Sequence, residues 1–361
     1  MNLDPGLDAF IREMPKAELH VHLEGSIRPR TLLQLAKRHR VSLPADTIEG
    51  LREWFRFRDF EHFVEIYLTC SQSLRDPEDF QLVAREFLAE QAAQNIRYSE
   101  VHFTVATHIR NGANGAEVAA ALSETLQEEE QRLGVTARWI PDIVRDVTWE
   151  WADRTLEWAL DGRGQGVVAL GLSGFEASSD EPFREHFHVA RQEGLHRVAH
   201  AGEHEGPESV RSALEICQPE RIGHGIRSVE DVELMDELVE RQIPLEICPT
   251  SNVRLGAVAD LESHPIDRIR SAGVPVTLNS DDPPLFETTL TEEFRRVSET
   301  FGLGAQDLAA LSWAALQHAF VSGDERRELE VQFRRQFRDL GEKHLGDATI
   351  LEKQLGQEEA G

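Results

Sequence analysis

His20 and His22 are separated by one residue in the short apolar run 18–23 (ELHVHL). Side chains alternate along an extended strand, so both imidazoles face the same side. More histidines and acids stand at the ends of later runs, in His200-Ala-Gly-Glu203, Gly223-His224-Gly225 and Asn279-Ser-Asp281-Asp282-Pro283. Taken singly, each is as easily a satisfied core histidine or a turn aspartate. That reading does not explain why they recur at corresponding ends of successive runs. Three neutral imidazoles and a carboxylate suit Zn2+ and leave room for a water whose pKa falls toward about 7. The expected ligands of one zinc per chain are His20, His22, His200 and Asp281. Glu203, three residues beyond a ligand, is placed to move protons, and His224 to position the attacking oxygen without binding metal. The chemistry of such a set is hydrolysis.

Other metal chemistries fit less well. A two-metal barrel hydrolase usually needs a bridging group such as a modified lysine, and there is no lysine between Lys37 and Lys343. The HExxH pattern is absent, because His204-Glu205 is followed by Gly-Pro-Glu, and so is a PCxxC segment. Cys70, Cys217 and Cys248 are too few and too scattered for a disulfide framework, and they fit a reducing compartment.

The elements that must position these residues are repeated βα units. Eight apolar or β-branched runs stand at 18–23, 96–103, 137–144, 167–172, 197–201, 221–224, 244–248 and 275–279, with helical spacing between them, notably at 115–133, 229–241 and 264–272. Eight parallel strands of this kind close a (β/α)8 barrel, whose active sites gather at the C-terminal strand ends. Two regions exceed what a simple barrel needs: an insertion at about 26–95, a candidate lid, and a helical tail at about 291–361 ending in the polar GQEEAG. No linker or repeat separates two halves, so the whole of 1–361 reads as one domain.

Composition narrows the partners. With 65 acidic against 38 basic residues the net charge is −27, a field that repels nucleic acid and anionic membrane. The first residues lack a signal peptide's basic start and apolar run, and no stretch is long enough to span a membrane, so a soluble cytoplasmic protein with a small-molecule substrate is expected.

The segments PKAELHVHLEGS, HAGE, RIGHG, CPTSN and NSDDP, in this order at strand ends, closely resemble the adenosine deaminase family of the amidohydrolase superfamily, over roughly residues 14–291. The resemblance implies zinc on His20, His22, His200 and Asp281, Glu203 as proton donor to a purine ring, and His224 orienting the attacking hydroxide. It further implies that Asp282 holds the purine N7, that the Gly174 backbone meets another ring nitrogen, and that Ser251 supports the site from outside. The reaction it implies is hydrolytic loss of the 6-amino group of an adenine nucleoside, giving the 6-oxo product and ammonia.

Glu24 stands where animal-type members carry an aspartate that approaches the ribose, so Glu24 is the expected sugar contact with its geometry open. The His22-Leu23-Glu24-Gly25 form is also similar to adenine deaminases, which take the free base, and to aminodeoxyfutalosine deaminases of menaquinone synthesis. Gly174 in SGFEASSDEP is similar to the nucleoside-acting members, whereas the adenine-acting members are more polar there, and this likeness implies a nucleoside. Trp54, Phe55, Phe57, Phe60, Phe63 and Tyr67 could cap an apolar 5′ group, with Arg56 or Arg58 meeting a carboxylate, or could simply pack an amphipathic helix on the rim. A noncatalytic purine-binding protein is the alternative of another class; it would not need Glu203 and His224 beside a full ligand set.

Overall fold

The computed structural model describes residues 3–352. Eight parallel strands follow one another in chain order around a nearly closed barrel. They are β1 (Lys16–His22), β2 (Ile96–Phe103), β3 (Thr136–Val144), β4 (Ala169–Ser173), β5 (His196–Ala201), β6 (Arg221–His224), β7 (Leu245–Ile247) and β8 (Val276–Leu278). Each expected run is a strand, with ends moved by at most two residues. Closure between β8 and β1 runs through the chain just beyond β8: the His22 N–H donates to the Asp281 carbonyl at 2.9 Å, and the Asp281 N–H to that of His20 at 3.2 Å.

Alternation explains why the polar residues converge. All seven residues of β1 are buried. Ala17, Leu19 and Val21 form one row and join the main apolar core, while Lys16, Glu18, His20 and His22 form the other. On the inward row of β2, the Tyr98 hydroxyl donates to Glu100 at 2.9 Å. Lower in the lumen Ile140, Ala169 and Val198 make a small separate cluster against Phe320.

Arg221 is the cationic centre of the lumen. Its guanidinium donates to Glu246 and Glu100, and to the His318 carbonyl at 2.8 Å, and lies 3.6 Å from the centroid of the Phe320 ring. Both carboxylates are fully buried, so removing the cation strands two anions in a low-dielectric interior. Arg221→Met is expected to cost about 3–5 kcal/mol in urea unfolding; a loss below about 1 kcal/mol would show that the carboxylates find other partners.

The outer layer has the expected helical insertion after β1 and helical tail, and each includes part of the barrel's own ring. The region at 26–95 contains helices Pro29–His39, Ile48–Phe55, Phe60–Gln72 and Pro77–Ala93. Pro77–Ala93 packs on β2 and against Gly115–Leu133, so it is the barrel's own crossover helix rather than extra structure. Helix Phe60–Gln72, started by the Asp59 carboxylate accepting from the His62 N–H at 2.9 Å, instead packs on the turn Glu24–Ser26 after β1. In the tail, Ala305–His318 covers β1 and β8 and thus belongs to the helical ring, while Gly323–Leu345 packs against Pro5–Glu13. Both stretches thus combine crossover helices with additions. The polar end at 356–361 lies outside the described residues. Among the described residues no helix is long and apolar enough to cross a membrane.

Candidate active site

His20, His22, His200, His224 and Asp281 meet at the C-terminal end of the barrel, all buried. The ring of His20 lies 4.5 Å from His200, 4.8 Å from His224 and 5.4 Å from His22, centroid to centroid. Strict alternation would put His224 on the face of Ile222, but a left-handed φ of 61° ends β6 at His224, and its ring reaches the centre. Asp281 also has a left-handed backbone, φ 64°. Two non-glycine residues held in this region at one site mark strain that the surrounding packing must sustain. Gly223 leaves room for the cluster, since a Cβ there would fall 2.7 Å from His20 Cε1.

The outer partners decide which nitrogens carry lone pairs. His20 Nδ1 lies 2.9 Å from Glu246 Oε2, and His200 Nδ1 lies 2.9 Å from the Leu172 carbonyl. Both contacts are to acceptors, so both Nδ1 atoms carry the proton and both Nε2 atoms present lone pairs. His20 Nε2 has no hydrogen-bond partner, and His200 Nε2 stands 3.3 Å from His22 Nε2. Asp281 Oδ1 lies 3.3 Å from His22 Nε2 and 3.7 Å from His20 Nε2, while Ser251 Oγ donates to Asp281 Oδ2 at 2.6 Å. Buried ring nitrogens gathered this closely round a carboxylate, with His20 Nε2 left unpartnered, describe a cation site, and the residue types fit zinc.

Burial and the surrounding imidazoles push His20 and His200 well below the usual histidine range, which keeps them neutral. Burial also opposes charge on His22, but the Asp281 hydrogen bond and the charges of Asp282 and Asp281 outweigh it, raising its pKa to about 10. Burial, then the neighbouring Asp281 charge, raises Asp282 well above the carboxylate range. Its Oδ1 is buried without a partner, and Gly25 is required beside it, because a Cβ there would fall 1.6 Å from that oxygen.

Glu203 follows His200 on the loop after β5. Its Oε1 accepts from Asn252 Nδ2 at 3.3 Å, and its Oε2 lies 3.3 Å from His204 Nδ1. Glu176 holds this loop by accepting the backbone N–H groups of Glu203, His204 and Glu205 at 2.9, 3.2 and 2.8 Å. Burial raises the Glu203 pKa, but His224 and the His204 hydrogen bond outweigh it and the net direction is downward, so the carboxylate rests ionised. Gly174 sits at the exposed mouth with φ 90°, where a Cβ would fall 2.9 Å from Val144 Cγ1.

Glu24 is fully buried. Its Oε1 accepts from the Thr104 N–H at 2.8 Å, the Thr104 hydroxyl at 2.7 Å and His108 Nε2 at 2.9 Å, while Oε2 has no partner. Burial alone would raise its pKa; His108 and Thr104 outweigh burial and hold it at about 2. The aromatic residues divide between two roles. Phe55 is core, and Phe63 stacks on Phe286 at 5.4 Å, whereas Phe60 reaches Phe175 and His204 across the mouth, and Tyr67 lies 6.2 Å from the His22 ring. Arg56 is engaged by Glu53 and Glu287, at 3.1 and 3.2 Å, so of the two expected carboxylate-binding arginines only Arg58 has a side chain without a partner among the described residues.

Sequence reasoning missed several participants. Glu246 behind His20 carried a signal, being a carboxylate in the apolar run of β7. His102 at the end of β2 bonds Asp142 through Nδ1 at 2.9 Å, 4.9 Å from the His20 ring, and a Cβ on Gly171 would fall 1.7 Å from Asp142 Oδ1. A histidine near a strand's C-terminal end was visible; its carboxylate partner on β3 was not.

A family model described as adenosine deaminase matches residues 15–334. The chain is 41% identical over 318 residues to an aminodeoxyfutalosine deaminase of Streptomyces coelicolor, covering 87% of this chain and 82% of that protein. Among solved structures, an adenine deaminase of Arthrobacter aurescens matches with a TM-score of 0.84 and 31% identity, covering 89% of this chain and 98% of the other. An amidohydrolase of Burkholderia ambifaria with bound Zn matches with a TM-score of 0.88 and 25% identity, covering 96% and 97%.

Proposed function

The chain belongs to the adenosine deaminase family and is a hydrolytic deaminase of the amidohydrolase type, and on that premise we propose that it removes the 6-amino group of an adenine nucleoside with a modified 5′ end. The observation that carries this reading is the buried cluster of His20, whose Nε2 has no partner, with His22, His200 and Asp281, and with the Glu203 carboxylate and His224 beside them. One zinc ion held by His20, His22, His200 and Asp281 would activate water for attack at neutral pH.

The remaining work falls to the chain's own groups. Glu203, ionised at rest, takes a proton from the attacking water and passes it to the ring nitrogen beside C6, which makes that carbon electrophilic. The C6–O bond forms, the proton of the new C6 hydroxyl passes to the amino group, and the C6–N bond breaks to release ammonia and leave the 6-oxo product with its ring nitrogen protonated. Purine N7 offers only a lone pair, so a carboxyl facing it must supply the hydrogen, and the raised pKa of Asp282 suits that role. The Gly174 backbone meets a second ring nitrogen, and the free Oε2 of Glu24 accepts a sugar hydroxyl.

The mouth favours a substituent on the sugar. Phe60 and Phe175, the latter 53% exposed, meet edge to face at the mouth and offer ring surface to a substituent, and Arg58 offers a cation unpaired among the described residues. The aminodeoxyfutalosine deaminase relative supports this form, whereas the adenine deaminase structure supports the free base as the second reading. Comparing kcat/KM for adenosine, adenine and a 5′-deoxy-5′-(carboxyaryl) adenosine decides between them. The third is expected to lead, and Arg58→Ala to raise its KM about tenfold while leaving adenosine unchanged. A preference for adenine would overturn the nucleoside reading.

A further inference from the structure

We propose that Asn252 and His264 are positioning residues that fix His224 in one neutral tautomer, with its proton on Nε2 facing the reaction centre, and that leave proton transfer to Glu203. The inference rests on the reading that Glu203 and His224 act on the substrate, and it begins outside the site. The backbone N–H of Ile266 points at His264 Nδ1, 3.1 Å away. A backbone amide can only donate, so Nδ1 holds a lone pair and the single proton of a neutral ring sits on Nε2. Burial lowers the His264 pKa to about 4, which keeps the ring neutral in ordinary buffers.

His264 Nε2 lies 3.2 Å from Asn252 Oδ1, so the Asn252 amide is oriented by a donor it must accept. Turning the amide over would set NH2 against N–H, or require an imidazolate. With Oδ1 committed, Asn252 Nδ2 carries two hydrogens and has two neighbours, Glu203 Oε1 at 3.3 Å and His224 Nδ1 at 3.1 Å. His224 Nδ1 therefore accepts. A doubly protonated His224 would aim N–H at the same NH2. The proton of His224 sits on Nε2, 4.0 Å from Asp281 Oδ2.

A ring in this state donates one hydrogen bond toward the attacking water and has no lone pair there with which to remove a proton. Orientation then belongs to His224 and proton transfer to Glu203, and one amide serves both. Asn252 and His264 are fully or nearly fully buried, as a device needing fixed geometry requires.

The test is two-bond proton–nitrogen correlation spectroscopy on the zinc-loaded enzyme carrying 15N-histidine, with ammonia release measured on the same samples. Wild type is expected to show His224 protonated on Nε2 and bare at Nδ1. In Asn252→Asp the new carboxylate draws a proton onto His224 Nδ1, and kcat falls about 100-fold with KM changed less than about threefold. His264→Gln, which keeps an N–H donor and an oxygen acceptor, retains the Nε2 tautomer; His264→Leu loses it and loses kcat. A wild-type His224 protonated on Nδ1 overturns the proposal even if no variant folds, and so does an unchanged His224 spectrum in Asn252→Asp. If the tautomers are as described but no aminopurine yields ammonia, the positioning stands and the substrate reading falls.

Discussion

Glu203→Gln is expected to lower kcat for ammonia release by about a thousandfold while zinc content, KM and unfolding midpoint stay close to wild type. Glutamine keeps the length of the side chain and an oxygen for Asn252 Nδ2, which lies 3.3 Å from the present carboxylate. It removes the one ability the mechanism asks of this position, which is to hold a proton between its removal from water and its delivery to the ring. The backbone of this loop is tied down by Glu176 rather than by the Glu203 side chain, so geometry should survive the change. Steady-state ammonia assays with metal analysis on the same preparation decide the matter. A kcat within tenfold of wild type would remove Glu203 from proton transfer.

Asp281→Ala should empty the site. The carboxylate approaches His22 and His20 and is itself held by Ser251, so its loss takes away the only anion among the four expected ligands and leaves His22 without its main partner. Zinc affinity is expected to fall about a thousandfold or more, and ammonia release with it, as measured by competition with a chelator. Ser251→Ala, which removes an outer support and no ligand, should weaken zinc by only about 10- to 100-fold. Near-wild-type zinc affinity in Asp281→Ala would mean that another group is the fourth ligand; Asp142, beside His102 and His200, would be the first to test.

The two histidines of β1 were legible because a strand has a period of two, and their partners because barrel strands end on one face. What could not be read was the support behind them. Glu246 is separated from His20 by 226 residues of chain and touches it only because β7 and β1 share a lumen. His264 stands outside every motif, and its bearing on the site depends on an amide twelve positions earlier in the chain. Arg56 and Arg58 were equal on paper, and only the placement of Glu53 and Glu287 separated them. Crossover helices were hidden for a different reason: Pro77–Ala93 and Ala305–His318 lie in stretches whose length suggested additions, and length does not say which helix covers a strand. Apolar spacing identifies a helix, but its neighbour is chosen by packing.

Zinc-dependent deamination is checked by stripping the wild-type protein with a chelator and following ammonia release from adenosine and the 5′-(carboxyaryl) analogue as zinc is returned. No release is expected from the stripped protein, followed by a linear rise that breaks at one zinc per chain. Release that is independent of added metal, or none from either compound at any zinc level, would contradict it.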